Sequence, residues 1–425
     1  MTGLRTELHI DRLGLRGEGI AHGVEGPIYV PYALPGDTII AEVEGERGRL
    51  IEIRTPSPDR ISAFCPHYGI CGGCAVQALA PGAYAAWKRG LVVEALRYAK
   101  IEAEIADLVD AHGLGRRRAT FHARYNPRGK ARVGFMRGRA HNVIDLDFCP
   151  ILAPQMRGAL AAAHAIAAAL HAAQKPLDIS VTGSHSGLDI DIKGHGPLRP
   201  AQIQSLVGVA EAQDLARIAN DRLCVVERRP PVLKMGKAEV APPPGVFLQA
   251  TEAAEEALAA KVCESLAGAR RIADLFAGIG TFSLRLAERA QVHAVDSDEP
   301  ALAALAKAAR AAPGLRPVTI EPRDLFLRRP LGKEEFQRFD AVLFDPPRAG
   351  AEAQARALAQ SAVPLVVAVS CSAQSFARDA ALLSAGYRIE SITPFDQFRH
   401  SPHIECVGVF RRSMDKPRRP RRLLG

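Results

Sequence analysis

Residues 4–54 alternate short apolar runs with glycine-rich turns. The runs Leu8-His9-Ile10, Pro27-Ile28-Tyr29-Val30 and Thr38-Ile39-Ile40-Ala41-Glu42-Val43 predict strands, and together a small β-barrel. Thr55-Pro56-Ser57-Pro58-Asp59 has the composition of a linker. From Pro81 to Ala99 the pattern is helical, with proline near the start where a missing N–H is tolerated. Arg117 to Ile151 shifts to strands. An alanine-rich stretch at 157–173 predicts a helix by propensity. Residues 177–230 mix strand-like and helical signals, as in Leu188-Asp189-Ile190-Asp191-Ile192, and give no topology.

From about 250 to 410 short apolar runs alternate with helical segments. The runs are Ile272–Phe276, Val292–Val295, Ala341–Phe344 and Leu365–Val369. That alternation predicts a doubly wound α/β domain with a mainly parallel sheet. There is no internal repeat. The expected organisation is a barrel over 1–55, a central α+β domain over 60–245, an α/β domain over 246–412 and a basic tail over 413–425.

At 425 residues the chain needs two or three domains. A hydrophobic content of 48% excludes a disordered chain. No apolar run is long enough to span a bilayer, and Met1-Thr2-Gly3-Leu4-Arg5 does not resemble an export signal, so a cytoplasmic protein with no membrane partner is expected. The eight cysteines are then thiols or ligands before they are disulfides. The net charge is +9. Arg411 to Gly425 carries +6 of it, and Gly115 to Ala140 holds nine Arg or Lys and no acid. A single such patch is ordinary surface. Two of them favour a nucleic-acid partner.

Candidate chemistry narrows the partner. Arg271 to Gly280 is a strand entering a glycine turn, with a helix expected from about Thr281. A dinucleotide site would want a third glycine, and that position is Ser283. Asp274, Asp296 and Asp324 lie near the ends of successive strand-like runs. An acid-lined pocket without a glycine trio suits S-adenosyl-L-methionine, a cation without phosphates. Asp345-Pro346-Pro347-Arg348 ends a further strand; two prolines stiffen the turn and aim Asp345 at the pocket. Cys371 ends the next strand. There it can be an inert core thiol, but the neighbouring turn favours a nucleophile that adds to carbon 6 of uracil. Such chemistry also needs a base for the carbon 5 proton. Pro402-His403-Ile404-Glu405 offers two: Glu405, otherwise a salt-bridge acid, and His403, otherwise a structural neighbour. Cys65, Cys71 and Cys74 have metal-site or cluster spacing. Cys224, Cys263 and Cys406 have no motif, and core packing is expected for them.

The chain resembles the RNA uracil-5 methyltransferases that act on transfer and ribosomal RNA. The resemblance covers nearly its whole length and rests on D-P-P-R-A-G at 345–350, Ser370-Cys371 followed by Ala377-Arg378-Asp379, and P-H-I-E at 402–405. It implies a TRAM-like barrel, a cluster-bearing central domain and a Rossmann-like class I methyltransferase domain. By the same resemblance Cys371 is the nucleophile and Glu405 the base. Gln249, Phe276, Asp296 and Asp345 fall at cofactor positions, with Gly278 and Asp324 beside them. Cys65, Cys71, Cys74 and Cys149 are similar to the 4Fe-4S ligand set of the ribosomal members; four thiolates would also suit zinc. The chain departs from the family at Thr281 for Asn, Ala277 for Cys and Asp296 for Glu, and in the less typical string Phe398-Arg399-His400-Ser401.

The leading expectation is a uridine C5 methyltransferase, with ribosomal RNA favoured over transfer RNA and no obligate protein partner. An exocyclic-nitrogen methyltransferase would want Asn-Pro-Pro-aromatic where Asp345 and Arg348 stand. A non-catalytic RNA-binding assembly factor would need none of Gln249, Asp296, Cys371 and Glu405.

Overall fold

The structure is a computed structural model and describes residues 4–126, 128–138, 140, 142–326 and 331–413. Six strands between Leu4 and Thr55 form one sheet. Alternation along them buries Leu8, Val30, Ile39 and Ala41, with Ile10, in a small core of their own. The expected linker is not free. Asp37 is fully buried and needs donors, and the Ser57 N–H (2.8 Å) and the Arg60 guanidinium (2.5 Å) supply them, fastening the segment to the sheet.

The central sheet has six strands between Arg118 and Glu227. Helices Ala159–Ala169 and Pro200–Ala212 share its core. The first buries Ala162, Ala163 and Ala167, small side chains that let it lie close. It is shorter than the alanine-rich stretch: Gly158, at φ +82°, precedes its first turn.

The C-terminal sheet holds strands β1 (Arg271–Leu275), β2 (Gln291–Asp296), β3 (Val318–Pro322), β4 (Ala341–Phe344), β5 (Leu365–Ser370), β6 (Tyr387–Asp396) and β7 (Glu405–Arg412). Their order is β3-β2-β1-β4-β5-β7-β6, with the short strand Val109–Asp110 added beyond β6. The first five are parallel and β7 is antiparallel to both neighbours. Strands β4 and β5 are buried at every position, as central parallel strands covered on both faces must be. The carboxyl ends of β1, β2, β4 and β5 and the start of β7 thus meet along one edge, the place where such sheets bind ligands.

The helix Pro81–Tyr98 lies within the expected central unit by sequence, yet its apolar face joins the C-terminal core. Leu91, Val92, Ala95 and Leu96 share a cluster with Phe376, Ala380 and Ile392. The basic tail begins later than its charge suggests. Arg411 and Arg412 belong to β7, the first paired with Glu390 and the second stacked on Tyr387. Residues 414–425, and Arg139, fall outside the described residues. No helix among the described residues is long and apolar enough to cross a membrane.

Candidate active site

Ser370, the last residue of β5, pairs with Cys406 of β7. Cys371 follows directly, close enough to Glu405 for that carboxylate's charge to act on its thiol. Glu405 is buried, and the Gln397 Nε2 donates to its Oε1 at 2.7 Å. Its Oε2 has no hydrogen-bond partner among the described residues. Burial pushes the Glu405 carboxyl up to about 7, against the Gln397 bond and the charges of Arg118, Lys88 and Arg348. Burial, Glu405 and Asp345 push the Cys371 thiol up to about 12, with Arg348 opposing them.

The helix Ala373–Leu383 explains the motif that trails Cys371. Its Arg378 donates to the Ala349 carbonyl (2.8 Å), its Asp379 accepts from the Ala351 N–H (2.6 Å), and its Ser375 donates to the Arg348 carbonyl (2.5 Å). Gly350, at φ +79°, has no room for a Cβ between Arg378, Asp379 and Ser375. The D-P-P-R-A-G turn is thereby tied down from behind. Asp345 Oδ2 accepts from Gln249 Nε2 at 3.2 Å, and Gln249 Oε1 accepts from Gln397 Nε2 at 2.7 Å. Burial, then Glu405 and Asp274, hold Asp345 well above the usual carboxylate range.

At the end of β1, Phe276 takes φ +63°, and its N–H reaches the Val295 carbonyl at 2.8 Å. Asp296 accepts from the Gly278 N–H through Oδ2 and from the Asp298 N–H through Oδ1, both at 2.8 Å. Gly280 is needed because a Cβ there would meet Leu305 at 2.5 Å. Asp324 Oδ1 accepts from the Phe326 N–H at 2.8 Å, and the Phe326 ring meets Phe276 at 5.3 Å between centroids. Gln249, Phe276, Gly278, Asp296, Asp324 and Asp345 therefore lie along the edge of one sheet. Asp274 departs from expectation. It is fully buried beneath the turn, and Ser283, where a third glycine was absent, donates its hydroxyl to it at 2.6 Å. The helix that follows is a single turn, Ser283–Leu286.

The cysteine loop is backed by 136–138: Gly72 N–H donates to the Met136 carbonyl and Gly138 N–H to that of Ile70. His67 meets the Phe148 ring at 5.7 Å, which brings the 65–74 loop to Cys149. The four thiols feel one another. Burial raises Cys71, with Cys65 adding to it; burial raises Cys74, with Cys71 and Cys65 adding; burial takes Cys149 to about 12, with Cys74 and Cys71 adding. The Gly73 N–H already points at Cys71 Sγ (3.4 Å). The thiols are half-buried and act on one another's charge, and one has an amide donor, which is the chemistry of thiolate ligands. Among the described residues no three His, Cys, Asp or Glu side chains are assembled as a finished metal site.

Several expectations change. The basic stretch is not all surface: Arg117 is buried in an ion pair with Glu255, and Arg118 stacks on Phe247 at 4.6 Å. Arg128, Lys130, Arg132 and Arg137 remain exposed. His403 is a poor base: burial and Arg348, whose Nη2 is 2.9 Å from its Nε2, hold it down to about 4. Cys224 is exposed, against the packing expected for it, while Cys406 is buried. Gln397, Lys88 and Asp396 were not singled out in the sequence. Lys88 is fully buried, pairs with Asp396 at 2.8 Å and donates to the carbonyls of Ser401 and His403, so it staples the loop before Glu405. Only the polar Asp396-Gln397 pair closing an apolar strand hinted at this.

The model of the tRNA (uracil-5-)-methyltransferase family matches residues 323–413, the stretch that contains Asp324, Asp345, Cys371 and Glu405. An uncharacterised RNA methyltransferase of Brucella suis is 44% identical over 411 residues, 96% of this chain and 99% of its own. The 23S rRNA (uracil(1939)-C(5))-methyltransferase RlmD of Alkalilimnicola ehrlichii is 31% identical over 430 residues, 96% of each chain. The chain belongs to the RNA uracil-5 methyltransferases. The fold of this methyltransferase is also that of the Pyrococcus abyssi tRNA (uracil-54, C5)-methyltransferase, solved with S-adenosyl-L-homocysteine: TM-score 0.72, 22% identity, 95% of this chain and 99% of that one.

Proposed function

We propose that this methyltransferase modifies carbon 5 of one uridine in 23S ribosomal RNA through a covalent bond between Cys371 and carbon 6 of the base. The observation that carries the mechanism is that Glu405 acts on the Cys371 thiol while its Oε2 has no hydrogen-bond partner among the described residues. Ribosomal RNA is preferred because the RlmD relative is similar over its full length.

Cys371 attacks as the thiolate, its proton passing to water at the partly open site. The new S–C6 bond pushes the C5=C6 electrons into an enolate that Arg348 can steady. S-adenosyl-L-methionine, when bound, supplies the electrophilic methyl that carbon 5 takes. Gln249, Phe276, Asp296 and Asp324 would hold it, with Asp345 between it and the base. Glu405 Oε2 then removes the carbon 5 proton, the C–H electrons restore C5=C6, and the C6–S bond breaks to free Cys371. The uridine must leave its stack to reach the thiol. Exposed Arg128, Lys130, Arg132 and Arg137 suit the surrounding phosphates. Cys65, Cys71, Cys74 and Cys149 would hold a 4Fe-4S cluster in a structural role.

The test is nucleoside mass spectrometry of ribosomal and transfer RNA from cells lacking this chain. Loss of 5-methyluridine from one 23S fragment is expected. Loss from transfer RNA instead would overturn the assigned substrate while keeping the reaction.

A further inference from the structure

Gln397 stands between the two halves of the reacting site, and its amide is used completely. The Ala250 N–H can only donate, so the oxygen it meets at 2.6 Å is Gln397 Oε1. Nε2 must then face the two acceptors, Gln249 Oε1 and Glu405 Oε1, each at 2.7 Å. One N–H goes to each. The side chain is wholly buried and follows the end of β6. Gln249 in turn donates to Asp345, so two linked amides join the turn after β4 to the carboxylate that starts β7.

We propose that Gln397 positions Glu405 for removal of the carbon 5 proton, by holding Oε1 so that Oε2 alone is free to take it. This rests on the covalent mechanism above. Without the amide, a buried carboxylate with both oxygens unheld would rotate, and its charged form would lose its one hydrogen bond. The other groups that face Glu405 do not replace that bond. Arg118, Lys88 and Arg348 act on it as charges, and Asp345 and Cys371 oppose ionisation. Lys88 is already committed to Asp396 and two carbonyls.

The role predicts a defect in one step. Gln397→Met fills the space without donors, and Gln397→Glu keeps the shape but cannot donate to a second carboxylate while ionised. In single-turnover reactions with the full-length holoenzyme and target RNA, both variants should form the denaturation-resistant protein–RNA adduct at near the wild-type rate. Its breakdown should slow by at least about tenfold, within the ~10²–10⁴-fold that a positioned base supplies. For Gln397→Met the pH midpoint of breakdown should rise by roughly one unit. Wild-type breakdown and midpoint in either folded variant would overturn the proposal, as would equal slowing of formation and breakdown. Failure of the mechanism itself reads differently: wild-type enzyme would then form no adduct even with 5-fluorouridine RNA, whose fluorine cannot leave as a proton does.

Discussion

Cys371 and Glu405 are separated by a loop, a helix and a strand in sequence, yet the charge of Glu405 acts on the Cys371 thiol. Ser370 pairs with Cys406, so each of the two stands one residue from that pair. The proposed nucleophile and the proposed base therefore come from two neighbouring strand ends, with Gln397 and Lys88 holding the loop between β6 and β7.

Cys371→Ala should retain RNA binding and lose methylation by more than about a thousandfold, because the neighbouring thiol, Cys406, is fully buried and cannot replace it. Filter binding and methyl incorporation measure the two separately. No adduct should form with 5-fluorouridine RNA. Turnover at the wild-type rate would sink the covalent mechanism.

Burial takes Asp274 up to about 7, far above an unfolded carboxylate. The folded chain keeps this proton where the unfolded chain has lost it. That stabilisation is complete below about pH 4 and lost as pH rises through about 7. Asp274→Asn, which retains an acceptor for Ser283, should match wild type in acid and exceed it at pH 8, by on the order of 2–4 kcal/mol. Denaturant titrations at both pH values check this; the same stability difference between variant and wild type at both would show that Asp274 does not retain its proton in the folded enzyme.

Lys88→Met should destabilise the fold by about 3–5 kcal/mol, since it removes the cation paired with the buried Asp396 and leaves it the neutral donors Tyr84 and Phe398. The carbonyls of Ser401 and His403 also lose their donor. Replacing both members, Lys88→Met with Asp396→Asn, should recover part of the stability. A double-mutant cycle by chemical denaturation measures the coupling.

Anaerobically prepared enzyme should contain iron and acid-labile sulfide in equal amounts, and Cys149→Ser or Cys74→Ser should lose both. Elemental analysis decides it: zinc without sulfide would leave the four-thiol site and change its occupant.

The barrel strands and the Ala159–Ala169 helix were legible because each buries a face at a local period of two or 3.6 residues, and β1, β2, β4 and β5 because each is a short, nearly continuous apolar run. The chemical motifs were legible for the same local reason: D-P-P-R and the cysteine loop are short strings. The destination of Pro81–Tyr98 was not, because a helical stripe does not say which core it meets. The basic run misled in part, since Arg117 is buried against Glu255 and Arg118 is half-buried and stacked on Phe247.

By itself the sequence determined the layered α/β architecture, the family and the residue types available for chemistry, all of which follow from near-neighbour pattern. Only the tertiary structure decided which ionisable groups are buried and how their protonation is shifted. Glu405, Asp274 and His403 owe their protonation to desolvation and to charges distant in the chain, and Gln397 meets Gln249 across 148 residues. Burial and electrostatics are set by three-dimensional proximity, which the order of residues specifies only through the whole fold.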